Sequence, residues 1–301
     1  MNLASRRYEL ILVVAGIIWG TSFAAGKIGV EHMDPVLFSA LRYVFGAIAI
    51  FIALVAMKQL DLSVFRIKGL WVIALFNAVA MLFQNVGMTM TSATNTVLLV
   101  DINVVFIAIL AVFVLKERLN RWMVMGLVIG LVGVVIISTN GDLSAIISGS
   151  FEGNMLVFGA GILWAFYVVL LTRELNGTEL LASATGAVII ETAVFLIPVM
   201  LVLTKDYSIE STGTMAALFI GIFCTALAFI LYSVGLKHLG ATMASVILLV
   251  EIVFGILFAI LLLGEMPTVA TAIGGAMILL SVIVISMNQS EDVKSKRLAQ
   301  E

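Results

Sequence analysis

The chain has 301 residues, of which 62% are hydrophobic and 11% charged, with a formal net charge of −2 and a mean hydropathy of +1.22. Soluble domains carry about 25% charged residues, so a water-soluble fold cannot hide this much apolar surface and lipid must cover part of it. The lone cysteine, Cys224, excludes an intramolecular disulfide and a thiolate metal site, and two histidines, His32 and His238, exclude a histidine-rich one.

A bilayer core about 30 Å thick takes about 20 apolar residues of helix. Taken in chain order, that window predicts spans near 9–28, 36–56, 70–89, 94–115, 121–138, 154–172, 180–203, 213–235, 241–263 and 269–287. Arg6 and Arg7 followed by an apolar stretch and Ser22-Phe23-Ala24 also fit a cleaved signal peptide. Trp19 in mid-stretch, and the return of its surroundings later in the chain, argue instead for a retained first span. The gaps are short, and the segment 290–301 is charged and predicted to be disordered.

Orientation follows from the Lys and Arg residues. With the N-terminus in the cytoplasm, thirteen of the sixteen lie on the inner side, Lys27 and Lys205 lie outside, and Arg42 is within a span. This bias supports an even number of spans and a multi-pass protein of the plasma membrane with both termini cytoplasmic.

Internal repeats constrain the architecture further. Gly16-Ile17-Ile18-Trp19 matches Gly161-Ile162-Leu163-Trp164 at an offset of 145. From the third span the offset becomes 148, pairing Val86-Gly87 with Val234-Gly235, Ala93-Thr94 with Ala241-Thr242, Val105-Phe106 with Val253-Phe254, Glu117 with Glu265 and Gly126 with Gly274. Five spans per repeat is an odd number, so the second repeat inserts upside down. The expected fold is an all-α membrane protein of ten transmembrane helices in two inverted five-helix repeats. These are residues 1–139 and 153–288, joined by an outside linker at 140–152 and followed by a cytoplasmic tail at 289–301. Inverted repeats recur in secondary transporters, with the substrate site near the midplane between the halves.

Trp19-Gly20-Thr21-Ser22-Phe23 with Lys27, then Pro35 and Ala40-Leu41-Arg42-Tyr43, resembles the opening of the EamA-type drug/metabolite transporter superfamily. Ala93-Thr94 and Leu115-Lys116-Glu117-Arg118-Leu119 resemble the ends of its fourth span, and Ala241-Thr242 and Leu261-Leu262-Leu263-Gly264-Glu265 the second-repeat equivalents. The likeness spans roughly residues 10–288. It implies two five-helix repeats around a central cavity built mainly by spans 1–4 and 6–9, and export of amino acids, other metabolites or toxic compounds. The family often has proline early in the fourth and ninth spans, where this chain has Val104 and Ile252, so no proline-placed kink is expected.

Charge in a hydrocarbon core costs at least about 2.5–3.5 kcal/mol per residue, which singles out Arg42, Asp101, Glu191 and Glu251. By helical rise Arg42 and Asp101 lie about 10 and 13 Å from the outer ends of their spans, and the two glutamates about 18 Å from the inner ends. Similar depth suggests a structural Arg42–Asp101 pair. Asp101 and Asn103 are about 200° apart on a continuous helix and should not both face one cavity. Glu191 and Glu251 have no evident cationic partner and are candidates for proton coupling or for binding a substrate ammonium group. Trp19, Trp164, Tyr167, Phe23 and Tyr232 are candidate cavity walls, or helix-packing aromatics. Of Asn77, Gln84 and Asn85, Gln84 is the candidate for substrate contact, and any of them could simply hydrogen-bond a neighbouring helix.

Gly16–Gly20 and Gly126–Gly130 have the spacing that lets helices approach closely, the second as a candidate dimer contact. Glu117 and Glu265 precede Asn120 and Thr268, expected N-caps of the following helices. GxxxxGK[ST], GxSxG and HExxH are absent from the sequence. The functional expectation is a secondary active transporter exporting a small polar metabolite or drug, with protons as candidate coupling ion. It takes no cofactor, metal or nucleic acid, has the bilayer and a small-molecule substrate as partners, and is a monomer or homodimer. The alternatives are an uncoupled facilitator or channel on the same fold, and an intramembrane enzyme.

Overall fold

The computed structural model describes residues 3–115, 121–142, 149–176, 178–248 and 250–298. The helices are α1 (Leu3–Glu31), α2 (Pro35–Ala56), α3 (Lys68–Met88), α4 (Ala93–Val100), α5 (Asn103–Leu115), α6 (Arg121–Thr139) and α7 (Gly149–Asn176). They continue as α8 (Leu181–Leu203), α9 (Ser211–Phe219), α10 (Ala228–Leu239), α11 (Ala241–Leu248), α12 (Val250–Leu263) and α13 (Val269–Leu298). A π-helical stretch, Ile220–Leu227, runs α9 into α10, and no strand occurs among the described residues.

Six helical stretches are long and apolar enough to cross a membrane: Arg7–Glu31, Pro35–Ala56, Lys68–Met88, Phe151–Asn176, Leu181–Leu203 and Ser211–Leu239. Shorter apolar helices at Ala93–Ile107, Val124–Ile137, Val250–Leu263 and Val269–Ser281 occupy the windows of the fourth, fifth, ninth and tenth predicted spans. The chain is therefore a multi-pass helical membrane protein. Large side chains such as Ile52, Val128, Val202 and Leu261 point outward, where a soluble protein would carry charge.

Local chemistry sets the helix ends. Asp34 Oδ1 accepts from Val36 N and Leu37 N, and Pro35 opens α2 with its φ already helical. Gly240 ends α10 at φ +79°, a conformation open to glycine and costly for other residues. Thr268 caps α13 as expected, accepting from Thr271 N. The charged segment from Ser290 continues α13 as helix to Leu298 rather than leaving it. A helix already nucleated in an apolar span extends at little cost.

The most extensive helix pairings are α6 with α13, α3 with α7, α1 with α12 and α2 with α8. Each joins the first half of the chain to the second. Exchanged counterparts are also present, α1 with α10 and α7 with both α4 and α5. The α6–α13 contact uses Gly130, one of the two glycines read above as a candidate dimer contact, together with Gly133. A Cβ on Gly130 would meet Ser281 Oγ at 3.0 Å, and one on Gly133 would meet Gly274 O at 2.7 Å. These two glycines serve packing within the chain.

One departure from the expected fold occurs where α4 meets α5. The fourth span is not one helix, since α4 ends at Val100 and α5 begins at Asn103. Across the break Val104 N bonds Asp101 O and Val105 N bonds Ile102 O, tighter than α-helical spacing. Proline is not the cause. Gly161 of α7 presses on the break, where a Cβ would stand 2.8 Å from Val100 O and 3.1 Å from Leu99 O. In the second half α11 begins at Ala241, 148 residues after α4 begins at Ala93, and the chain is helical up to Leu248 and again from Val250, with Leu249 outside the described residues. Gly16 of α1 packs against the start of α12, its Cβ position 2.5 Å from Val250 Cγ1 and 3.5 Å from Glu251 N.

Candidate functional site

The break between α4 and α5 borders a central cavity of about 70 Å³. Its wall includes Trp19, Arg42, Gln84, Asp101, Asn103, Trp164, Tyr167 and Glu251, eight of the nine candidate site residues read from the sequence. Phe23 and Tyr232 also line it. The ninth candidate, Glu191, lies on α8 away from this cavity, fully buried, with neither carboxylate oxygen bonded to a partner among the described residues.

Asp101 and Asn103 both reach the cavity, contrary to the helical-wheel expectation. The wheel assumes an unbroken helix, and the turn at Asp101–Ile102 rotates the second residue back toward the first. Glu251 arrives from the corresponding place in the second half. Gly20 brings α12 close enough to deliver it: a Cβ there would lie 3.0 Å from Gly255 N and 3.1 Å from Glu251 O. Backbone atoms cannot yield to a methyl group, so this crossing requires glycine.

The expected Arg42–Asp101 ion pair does not form. Among the described residues Arg42 has no carboxylate within 4 Å; its Nε donates to Thr225 Oγ1 at 3.0 Å. The acceptor belongs to the π-helical stretch, whose Gly221 packs against the Arg42 carbonyl. Similar depth in the bilayer therefore did not mean contact. Glu251, read as lacking a cation nearby, shares its cavity with Arg42 and lies within electrostatic reach of both Arg42 and Asp101. Asp101 is buried, and its Oδ2 has no hydrogen-bond partner among the described residues.

The aromatic wall is built around a residue the sequence reading overlooked. The Phe229 ring centroid lies 5.2 Å from that of Trp19, 6.1 Å from Trp164 and 6.0 Å from Tyr167. Trp19 and Trp164, the tryptophans matched by the internal repeat, thus meet the same phenylalanine. Trp19 Nε1 donates to Cys224 O at 2.7 Å, and Trp164 Nε1 points at Gln84 Oε1 at 3.4 Å. The spacing of Phe229 three residues before Tyr232 was a usable signal, since residues i and i+3 share a helix face. Asn77 and Asn85 act structurally: Tyr43 Oη donates to Asn77, Asn77 to Thr192, and Asn85 to Ser39.

Glu265 is also placed differently from expectation. It does not serve the helix that follows it; its carboxylate caps the N-terminus of α4. Glu117 lies outside the described residues. No cluster of His, Cys, Asp and Glu able to hold a metal ion occurs among the described residues.

A cavity with charged and aromatic side chains on its wall, bordered by a broken helix, suits the capture of a small polar solute. Comparison with known proteins agrees with this architecture. The family model described as the EamA-like transporter family matches the chain twice, at residues 6–139 and 151–287. An uncharacterized transporter of Archaeoglobus fulgidus is 27% identical over 295 residues, covering 94% of this chain and 98% of the relative. The uncharacterized transporter YyaM of Bacillus subtilis is 28% identical over 288 residues, covering 92% of each chain. A solved crystal structure with 20% identity has a TM-score of 0.68 and covers 94% of this chain and 97% of that one. It shows the shared fold.

Proposed function

The chain belongs to the EamA-like transporter family, and on that premise we propose that it exports a small polar metabolite, an amino acid or a related compound, by alternating access. One observation carries the reading. A guanidinium without a bound carboxylate among the described residues and the acids Asp101 and Glu251 face one aromatic-walled cavity. A buried charge is expensive unless something compensates it, and a zwitterionic solute brings a carboxylate for Arg42 and an ammonium for the acids. The acids outnumber the cation, which favours a substrate carrying an amino group. Protons are the proposed coupling ion, with Glu251 the carrier and Glu191 a second candidate.

The exchanged helix pairings, and the starts of α4 and α11 148 residues apart, support two inverted five-helix repeats meeting at the cavity. The charge bias supports residence in the plasma membrane with both termini cytoplasmic. Cysteines introduced at Asn140 and Asp206, in a Cys224-free background, should react with an impermeant thiol reagent from outside, and those at Asp61 and Asn176 should not. Labelling at Asp61 but not Asn140 in intact cells contradicts this orientation. The substrate reading is tested by comparing metabolites inside and outside cells that lack or overproduce the protein. Export predicts an amino compound retained in the first and enriched in the medium of the second; identical profiles contradict it.

A further inference from the structure

Away from the central cavity, a charged contact joins the two halves of the chain. Glu265 follows α12, and its carboxylate accepts from Ala93 N at 2.7 Å, Thr94 N at 2.9 Å and Thr94 Oγ1 at 2.7 Å. These N–H groups open α4, whose other end is the Asp101 break. From the opposite flank, Lys27 of α1 donates to Met88 O at 2.9 Å and Thr91 O at 3.0 Å. The corner between α3 and α4 is thus gripped by a cation on its carbonyl side and an anion on its N–H side, the arrangement helix dipoles favour.

A second cavity of about 300 Å³ opens beside Glu265, lined by Thr94, Asn95, Asn140, Thr268 and Thr271 among others. Nine of its twelve lining residues carry a hydroxyl, amide or carboxylate group. A carboxylate letting go of α4 here exchanges its bonds for water and polar donors, where an apolar wall would leave it stranded. Such surroundings suit a contact that breaks and re-forms.

We propose that Glu265 is the latch of the transport gate at this end of the bundle, a reading that rests on the transport function above. Holding α4, it keeps the central cavity closed toward the side that the charge bias makes the exterior; releasing it frees α4 to swing from the α12–α13 turn. The sequence repeats the relation, for Glu117 precedes Glu265 by 148 residues as Ala93-Thr94 precede Ala241-Thr242.

The test uses the full chain in proteoliposomes, Cys224 replaced by Ser, with a reporter cysteine at Ser22 on the cavity wall and an impermeant methanethiosulfonate reagent on the exterior face. Glu265→Gln removes the charge and one acceptor, and should raise the Ser22→Cys labelling rate about tenfold, the worth of a hydrogen bond to a charged group. Thr94→Val removes only the hydroxyl donor and should give a smaller rise. A second reporter at exposed Asp206 should label at one rate in all variants. Equal Ser22→Cys rates in wild type, Glu265→Gln and Thr94→Val overturn the latch, as does a parallel rise at Asp206, which reports general loosening. Should Glu265→Gln fail to fold, Thr94→Val decides. A wild type that moves no solute sinks the transport reading and leaves the labelling comparison intact.

Discussion

Two helix crossings beside the cavity, α7 over the α4–α5 break and α1 over the start of α12, share a packing device and differ in chemistry. Gly161 of α7 presses on the Leu99 and Val100 carbonyls; Gly16 and Gly20 of α1 press on Val250 and the Glu251 backbone. The first crossing offers the cavity Asp101 and Asn103, and the second offers Glu251 at the place corresponding to Asn103. Packing is thus alike in the two places while charge is not. A transporter needs both properties: matched halves that can exchange shapes, and a site with one polarity.

The packing half of this comparison is broken by filling a glycine. Gly20→Val should have the largest effect, because its new atoms meet backbone that cannot move. Overpacking costs about 1–3 kcal/mol where side chains can yield, and this site should lie at the upper end, seen as lost expression and a lowered Tm in detergent. Gly161→Val, facing two carbonyls, should behave alike. A stable Gly161→Val beside an unstable Gly20→Val would show that the halves do not share one packing plan.

The charge half is sharpened at Arg42. Thr225→Val leaves Nε without its partner, and an unmet buried donor costs about 1–3 kcal/mol, more when charged. Tm should therefore fall. Asp101→Asn should have the smallest effect on stability, below the roughly 1 kcal/mol of a typical point substitution, because Arg42 does not depend on it. The double variant Arg42→Gln with Asp101→Asn should show additive losses. If Asp101→Asn alone costs about 3–5 kcal/mol, as breaking a buried pair does, the two groups are paired after all.

Much of this fold was legible in the chain, because spans, charge bias and repeat offsets are one-dimensional signals. The cavity was legible for a related reason: charge, amide and tryptophan within apolar helices need a polar neighbour, and the centre of the bundle supplies it. Partners were harder to read. Depth along a helix located Arg42 and Asp101 at one level without revealing that Arg42 faces Thr225. The break at Asp101 has no proline to announce it, since it is held by a glycine sixty residues away in sequence. The π-helical stretch likewise has no local signature, and Glu265 caps a helix 172 residues before it rather than the next one. Such contacts are set by tertiary packing, which no local pattern encodes.

The central claim is that Glu251 gives the pseudo-symmetric cavity its functional polarity. Glu251→Gln keeps the size and hydrogen bonding of a protonated glutamate but cannot release a proton. The measurement is flux in proteoliposomes of the solute identified by the metabolite comparison, with and without an imposed pH gradient, for wild type and Glu251→Gln side by side. The account predicts that wild type concentrates the solute in response to the gradient. The variant should fold and insert, lose that accumulation, and retain exchange of solute between the two sides. A variant that still accumulates solute with the gradient contradicts the role given to Glu251, and a wild type that ignores the gradient contradicts proton coupling altogether.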